Sequence, residues 1–74
     1  MSHFRDQERA DLRVISYILA KHHKIKKPSR KMLEYISFVF SCQGGSWVLF
    51  FEGDPASIVL LKKVAKAVVK RNKI

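Results

Sequence analysis

The sequence has little that could cross-link the chain or anchor it in a membrane. Among its 74 residues there is a single cysteine, Cys42, which cannot form a disulfide within one chain. No apolar run approaches the roughly 18 residues that a membrane span needs, and charges are spread over the first twenty positions. We therefore expect neither a transmembrane helix nor a secretory signal, and we predict a cytoplasmic protein.

Residues that carry catalytic or metal chemistry are also scarce. His3, His22, His23 and Cys42 do not follow the spacing of metal ligands. There is no Gly-rich phosphate loop, no Ser–His–Asp arrangement and no paired-carboxylate motif. The sequence therefore predicts a protein without metal, cofactor or enzymatic activity.

The length and composition suit one small globular domain, residues 1–74. Hydrophobic residues make up 47% of the chain and charged residues 28%, which is typical of a folded chain. A domain of this size buries only about 60% of its unfolded surface, so its core is small. Packing against a second copy would add to that core.

Acidic residues are few and the basic residues are clustered. The chain has 15 Lys and Arg against 6 Asp and Glu, a net charge of +9. Residues 21–31 and 62–74 each hold six cations and no acid, whereas residues 32–61 contain no Lys or Arg. Such blocks favour attraction to a polyanion, and we expect them to contact nucleic-acid phosphates. The predicted contact residues are Lys21, Lys24, Lys26, Lys27, Arg30, Lys31, Lys62, Lys63, Lys66, Lys70, Arg71 and Lys73.

Helical patterns flank the middle of the chain. Apolar residues recur at three- and four-residue steps from about Phe4 to His23, with Ser2 as a candidate N-cap. The predicted buried stripe of this helix is Leu12, Ile15, Leu19 and His22. A basic connector with Pro28 follows over residues 24–31.

A second helix is predicted from Pro55 onward. Asp54 is a suitable N-cap, and proline is favoured at the first helical position. The predicted buried stripe is Ile58, Leu61, Val64 or Ala65, and Val68, and the lysines at three- and four-residue steps are expected to line one continuous side.

Between these helices, residues 34–52 favour an antiparallel β-hairpin. Two aromatic and β-branched runs flank Gly44-Gly45, which suits a type I′ turn. Pairing across this turn collects an entirely apolar face: Ile36, Phe38, Phe40, Cys42, Trp47, Leu49 and Phe51. The alternative is a helix over 29–42 capped by Ser29, which is less favoured because its apolar residues fall all round the cylinder.

The predicted fold class is α+β, in the order helix, hairpin, helix. Both helices pack on one face of the sheet, and the last runs antiparallel to the first.

The other face of that hairpin predicts self-association. It carries Val39, Val48 and Phe50, an apolar row that a two-stranded sheet would expose to water. A homodimer through this row is the expected arrangement. Base stacking by Tyr35, Phe50 or Trp47 is the alternative, and for Trp47 packing in the core is favoured.

Two function classes follow from the charge pattern, with a third behind them. The favoured one is a small basic nucleic-acid-binding protein of low sequence specificity, acting as a regulatory or accessory factor on DNA or RNA. The alternative is a protein-interaction module, an inhibitor or assembly factor, whose basic surface docks on an acidic partner protein. The third is a metal-independent ribonuclease in which His22 and His23 act with neighbouring lysines.

Overall fold

Helices account for all the regular secondary structure in residues 9–72, the range that the computed structural model describes. In chain order, α1 spans Ala10–His23, α2 spans Arg30–Cys42, α3 spans Trp47–Phe51 and α4 spans Pro55–Asn72. Within this range there is no strand. The predicted α+β fold with a hairpin over residues 34–52 is therefore wrong, and the less favoured helix over residues 29–42 is confirmed.

The buried stripe of α2 explains why its pattern is hard to recognise. Ile36, Ser37 and Phe40 are buried on one side of the helix, at three- and four-residue spacing. A serine in the middle of this stripe weakens its apolar character. The exposed Tyr35 and Phe38 give the opposite side of the helix apolar residues as well. The apolar residues thus fall all round the cylinder in sequence, although one side alone is buried.

Capping by serine marks where α2 and α3 begin. The Oγ of Ser29 accepts a hydrogen bond from the Met32 backbone N–H at 3.1 Å, as expected of an N-cap. Ser46 does the same for α3, accepting from the Leu49 N–H at 3.3 Å. These bonds satisfy N–H groups that lack a partner within the helix.

The Gly-Gly pair ends a helix and does not form a hairpin turn. Gly44 has φ +89°, and the Gly45 N–H donates to the Phe40 carbonyl at 2.9 Å. A left-handed residue followed by a bond back over five residues is the Schellman arrangement of a helix C-terminus. Gly53, also at φ +89°, repeats it after α3, where the next residue donates to the Leu49 carbonyl at 3.0 Å.

The order of contacts along the helices gives the topology. The Ser37 hydroxyl in the second half of α2 donates to Asp11 at the start of α1, so these helices are antiparallel. Further along α1, Ile18 lies beside Lys62, and nearer its end His23 lies beside Lys70. α4 therefore runs parallel to α1. The predicted antiparallel arrangement is wrong because α2 carries the chain to the far end of the bundle before α4 brings it back.

One core joins α1, α2 and α4, and α3 packs against α4. The described residues confirm most of the two predicted stripes, although Ile58 is half-buried and His22 is exposed. Cys42, assigned to the hairpin core, is also exposed. The buried hydrophobic residues are Leu12, Ile15, Ile18, Leu19, Ile36, Phe40, Leu61, Val64, Ala65, Val68 and Val69.

The predicted helix starts agree with the structure at α4 and not at α1. α4 begins at Pro55, and an Asp54 carboxylate oxygen accepts from the Ser57 N–H at 3.0 Å. α1 begins at Ala10 after an extended Arg9, so a helix continuous from Phe4 is wrong. Phe4 itself and the predicted cap Ser2 lie outside the described residues.

Asp11 joins α1 to α2 through a largely buried carboxylate. One of its oxygens accepts from the Arg9 guanidinium at 2.9 Å and from the Ser37 hydroxyl at 2.8 Å. Burial by itself raises the pKa of Asp11, but the hydrogen bonds from Arg9, Ser37 and the Leu12 backbone, together with the positive charge of Arg9, outweigh it. The pKa of Asp11 is therefore held below its ordinary value.

This lowered pKa predicts a pH dependence of stability. Because the folded-state pKa is below the unfolded one, the ionised carboxylate stabilises the fold above about pH 4, and this contribution is lost as the pH falls through the folded-state pKa. We expect Asp11→Asn to lower the free energy of unfolding by about 1 kcal/mol near pH 6, and by less near pH 2.5. Urea unfolding followed by Trp47 fluorescence measures both values. A deficit that is equal at the two pH values would contradict this role.

Candidate functional site

Most cations of the two basic blocks lie at one end of the helix bundle. The last turn of α1, the connector over residues 24–29, the first turn of α2 and the last turns of α4 all lie at this end. We call it the basic end. Its cationic residues, all exposed, are Lys21, Lys24, Lys26, Lys27, Arg30, Lys31, Lys66, Lys70 and Arg71. Lys73 belongs to the predicted set but lies outside the described residues.

The acidic side chains of residues 9–72 lie mainly towards the other end. Asp11 is in the first turn of α1, and Glu52 and Asp54 precede α4. Glu34, one turn into α2, accepts from Arg30 at 3.1 Å and lies 3.8 Å from an Arg9 nitrogen. The bundle is therefore electrostatically polarised along its length, with positive charge at the basic end.

The dipoles of α1 and α4 favour cations at the basic end, whereas the N-terminus of α2 does not favour Arg30 and Lys31 in its first turn. α1 and α4 both finish there, and the carbonyl groups at a helix C-terminus favour positively charged side chains. Lys21, His22 and His23 lie in the last turn of α1, and Lys70 and Arg71 lie in the last turn of α4. The local sequence therefore agrees with the position of both helix ends.

The lysine side of α4 divides into two rims. Lys62 and Lys66 border a groove between α1 and α4, next to His22. Lys63 and Arg71 border a different groove, between α4 and α2. The prediction of one continuous side therefore needs correction, because consecutive residues of a helix point about 100° apart and these pairs flank opposite sides of α4.

The lysines of α4 have no carboxylate partner in the part of the chain that the structure describes. The ion pairs found there join Arg9 to Asp11, Arg9 to Glu34 and Arg30 to Glu34. Their charge is thus not neutralised within residues 9–72, and an external anion would not have to displace an acidic side chain of that range.

A second exposed feature adjoins the basic end, in the groove between α1 and α2. Tyr17 is 62% exposed, and Arg13, Ala20 and Arg30 line the same groove. The Lys21 ammonium donates to the Tyr17 hydroxyl at 3.3 Å and lies 5.6 Å from the centre of its ring. We call this the Tyr17 groove.

Sequence reasoning missed the Tyr17 groove. It assigned the phosphate contacts to the two basic blocks, and neither Arg13 nor Tyr17 belongs to them. The available signal was the four-residue spacing of Arg13, Tyr17 and Lys21, which places all three on one exposed strip of a helix.

The three predicted self-association residues are not placed alike. Val39 and Phe50 pack half-buried against the core, whereas Val48 is 69% exposed. The row expected on the outer hairpin face is not formed, since there is no hairpin in the described residues. Trp47 is half-buried with its ring centre 4.7 Å from that of Phe40.

Residues 9–72 contain neither a metal-binding cluster nor a helix that could cross a membrane. No group of three or more His, Cys, Asp and Glu side chains could hold a metal ion there. Within the same range, no helix has the length and apolar character that crossing a membrane requires. Comparison of the chain with protein families, with curated proteins and with solved structures found no match.

Proposed function

We propose that the protein binds nucleic acid through the basic end, contacting phosphates with low sequence specificity. The observation that carries this proposal is that most cations of both basic blocks converge on one end of the bundle, away from most of the described acids. Each cation that contacts a phosphate releases condensed counterions, and this release supplies most of nonspecific affinity. Lys62 extends the surface along α4, and Lys73 belongs to the proposal from its place in the sequence.

The proposal keeps the remaining expectations drawn from the sequence. The protein would act in the cytoplasm as a regulatory or accessory factor, and binding would involve no catalytic step. The cations do not distinguish DNA from RNA by themselves, since both present the same phosphate chemistry.

Salt dependence is the first test. We expect the affinity for duplex DNA or RNA to fall roughly a thousandfold between about 50 and about 200 mM salt if about six phosphates are contacted. Titration of labelled single- and double-stranded oligonucleotides of both chemistries, each at the two salt concentrations, measures this. Affinity that ignores salt, or no binding to any of the four probes at low salt, would refute the proposal.

The same titration, combined with chromatography on heparin, separates the two alternatives, the protein-interaction module and the ribonuclease. An interaction module for an acidic protein would be retained on heparin and yet fail to bind random duplexes. A ribonuclease would shorten the RNA probe, and this cleavage would be absent from a His22→Ala, His23→Ala double variant. His22 and His23 both border grooves that α4 lysines line, so the double variant tests the appropriate place.

The homodimer stays a prediction and now rests on a different set of residues, of which Val48 alone belongs to the predicted row. Phe38, Val48, Leu49 and Phe51 are each about half or more exposed, and all lie between residues 32 and 61, where there is no Lys or Arg. Two copies meeting through this part of the chain would keep their basic ends apart.

A further inference from the structure

We propose that the Tyr17 groove binds an unpaired nucleotide, whose base stacks on Tyr17 while Arg13, Lys21 and Arg30 hold the adjacent phosphates. This inference rests on the proposed function and names its preferred ligand, a single-stranded nucleic acid.

The exposure of Tyr17 is the first step. Its side chain is 62% exposed, although the core lies only one helical position away at Ile18, which is 7% exposed. A ring that lies open to solvent and beside cations can accept a nucleobase on its face, and stacking of this kind tolerates any base. The Lys21 ammonium already holds the Tyr17 side chain through a hydrogen bond to its hydroxyl, and the same ammonium could bind a phosphate.

The cations follow the ring along the helix. Arg13 and Lys21 lie one turn before and one turn after Tyr17, about 6 Å away along the axis in each direction. A strand lying along α1 would therefore meet a cation on either side of the stacked base. Such alternation of aromatic and basic groups is the usual means of binding single strands.

α2 supplies the opposite wall of the groove. Arg30 lines it there, held by a hydrogen bond from its Nε to Glu34 at 3.1 Å. Within the described residues, the two terminal nitrogens of Arg30 make no hydrogen bond. The bond from Nε therefore orients the guanidinium, and the terminal nitrogens can still donate to a phosphate. Leu12 and Leu33 line the groove with apolar surface, which suits the face and edge of a base.

The groove is continuous with the proposed phosphate surface. Lys21 and Arg30 belong to the basic end, so a strand anchored on Tyr17 would continue over the connector. In a duplex the bases are paired and stacked on one another and do not reach a side chain in this way. The protein should therefore bind single strands more tightly than duplexes of equal length.

Replacing Tyr17 tests the stacking. We expect Tyr17→Leu to weaken binding of a labelled oligo(dT) or oligo(U) roughly 5- to 150-fold, and to leave duplex affinity and the salt slope unchanged. Tyr17→Phe should bind as the wild type does, because it keeps the ring. The matched control is Phe38→Leu, which removes an aromatic ring that is 65% exposed but lies outside the basic end and should have no effect.

Each outcome bears on one proposal. If Tyr17→Leu binds single strands as tightly as the wild type, or weakens single strands and duplexes equally, the nucleotide site is refuted and the phosphate surface is retained. If the wild-type protein binds no probe at low salt, the proposed function itself is refuted. Circular dichroism of each variant checks that the helices remain, which is expected because Tyr17 contributes little to the core.

Discussion

Replacing Phe40 with alanine should lower the free energy of unfolding by about 3–5 kcal/mol, the usual cost of deleting a buried phenyl ring. Phe40 is 0% exposed and is the largest of the fully buried side chains in the described range. Its ring is packed so closely that a Cβ built on Gly45 would lie 2.5 Å from it. For a domain of this size such a loss is a large part of the total stability. Urea unfolding followed by Trp47 fluorescence and by circular dichroism measures it.

Phe38→Ala is the matched control, and it also tests the fold. Phe38 lies two residues from Phe40 and is 65% exposed, so its truncation should change the stability by no more than about 0.5 kcal/mol. In a hairpin, residues two apart would share the buried face and both substitutions would be costly. Equal losses for Phe38→Ala and Phe40→Ala would contradict the helix α2.

Replacing Lys62, Lys66 and Lys70 together by glutamine should weaken nucleic-acid binding by roughly a hundredfold or more at about 0.1 M salt. The three side chains are exposed on one rim of α4, and each phosphate contact contributes close to one unit of salt slope. We therefore expect the slope to fall by up to about three units, with a similar loss for every probe sequence. Thermal unfolding should be almost unchanged, since exposed helix lysines contribute little to stability.

A charge-matched variant separates the position of the charge from its total. Ala10→Glu, Gln43→Glu and Ala56→Glu together remove the same net charge from exposed positions, none of them in the basic end. Two of these positions are in the first turns of α1 and α4, where the helix dipole favours a carboxylate. This variant should bind almost as the wild type does. If both triple variants weaken binding equally, the basic end is not the binding surface.

Local rules are enough to determine the last helix, without any tertiary contact. Asp54 caps α4 and Pro55 begins it, and both are predictable because the cap bond and the proline preference act within one turn. The stripe of Leu61, Val64 and Val68 is confirmed for the same reason, since helical periodicity is a property of neighbouring residues. The clustering of cations is likewise a fact of the sequence.

The middle of the chain is different, because its local signals agree with two structures. Aromatic and β-branched residues favour strands, and Gly44-Gly45 suits either a tight turn or a helix C-terminus. Ser29 as an N-cap argues for the helix, yet Ser37 interrupts the apolar stripe. What allows Ser37 to be buried is its hydrogen bond to Asp11, a residue 26 positions away. No rule applied to the segment alone contains that partner.

The candidate site also has features that the sequence determines and features that the tertiary structure decides. The sequence by itself determined that two basic blocks exist and that α4 carries lysines at helical spacing, because both depend on residue order alone. The tertiary structure decided that α4 runs parallel to α1, that its lysines border two grooves, and that Tyr17 lies beside Arg30. These three features depend on how many times the chain reverses direction between α1 and α4. A hairpin would return the chain to the end of the bundle where it started, whereas the single helix α2 carries it to the opposite end, so different helix ends lie next to each other. Burial of Phe40 and Ile36 against the other helices holds α2 in that place.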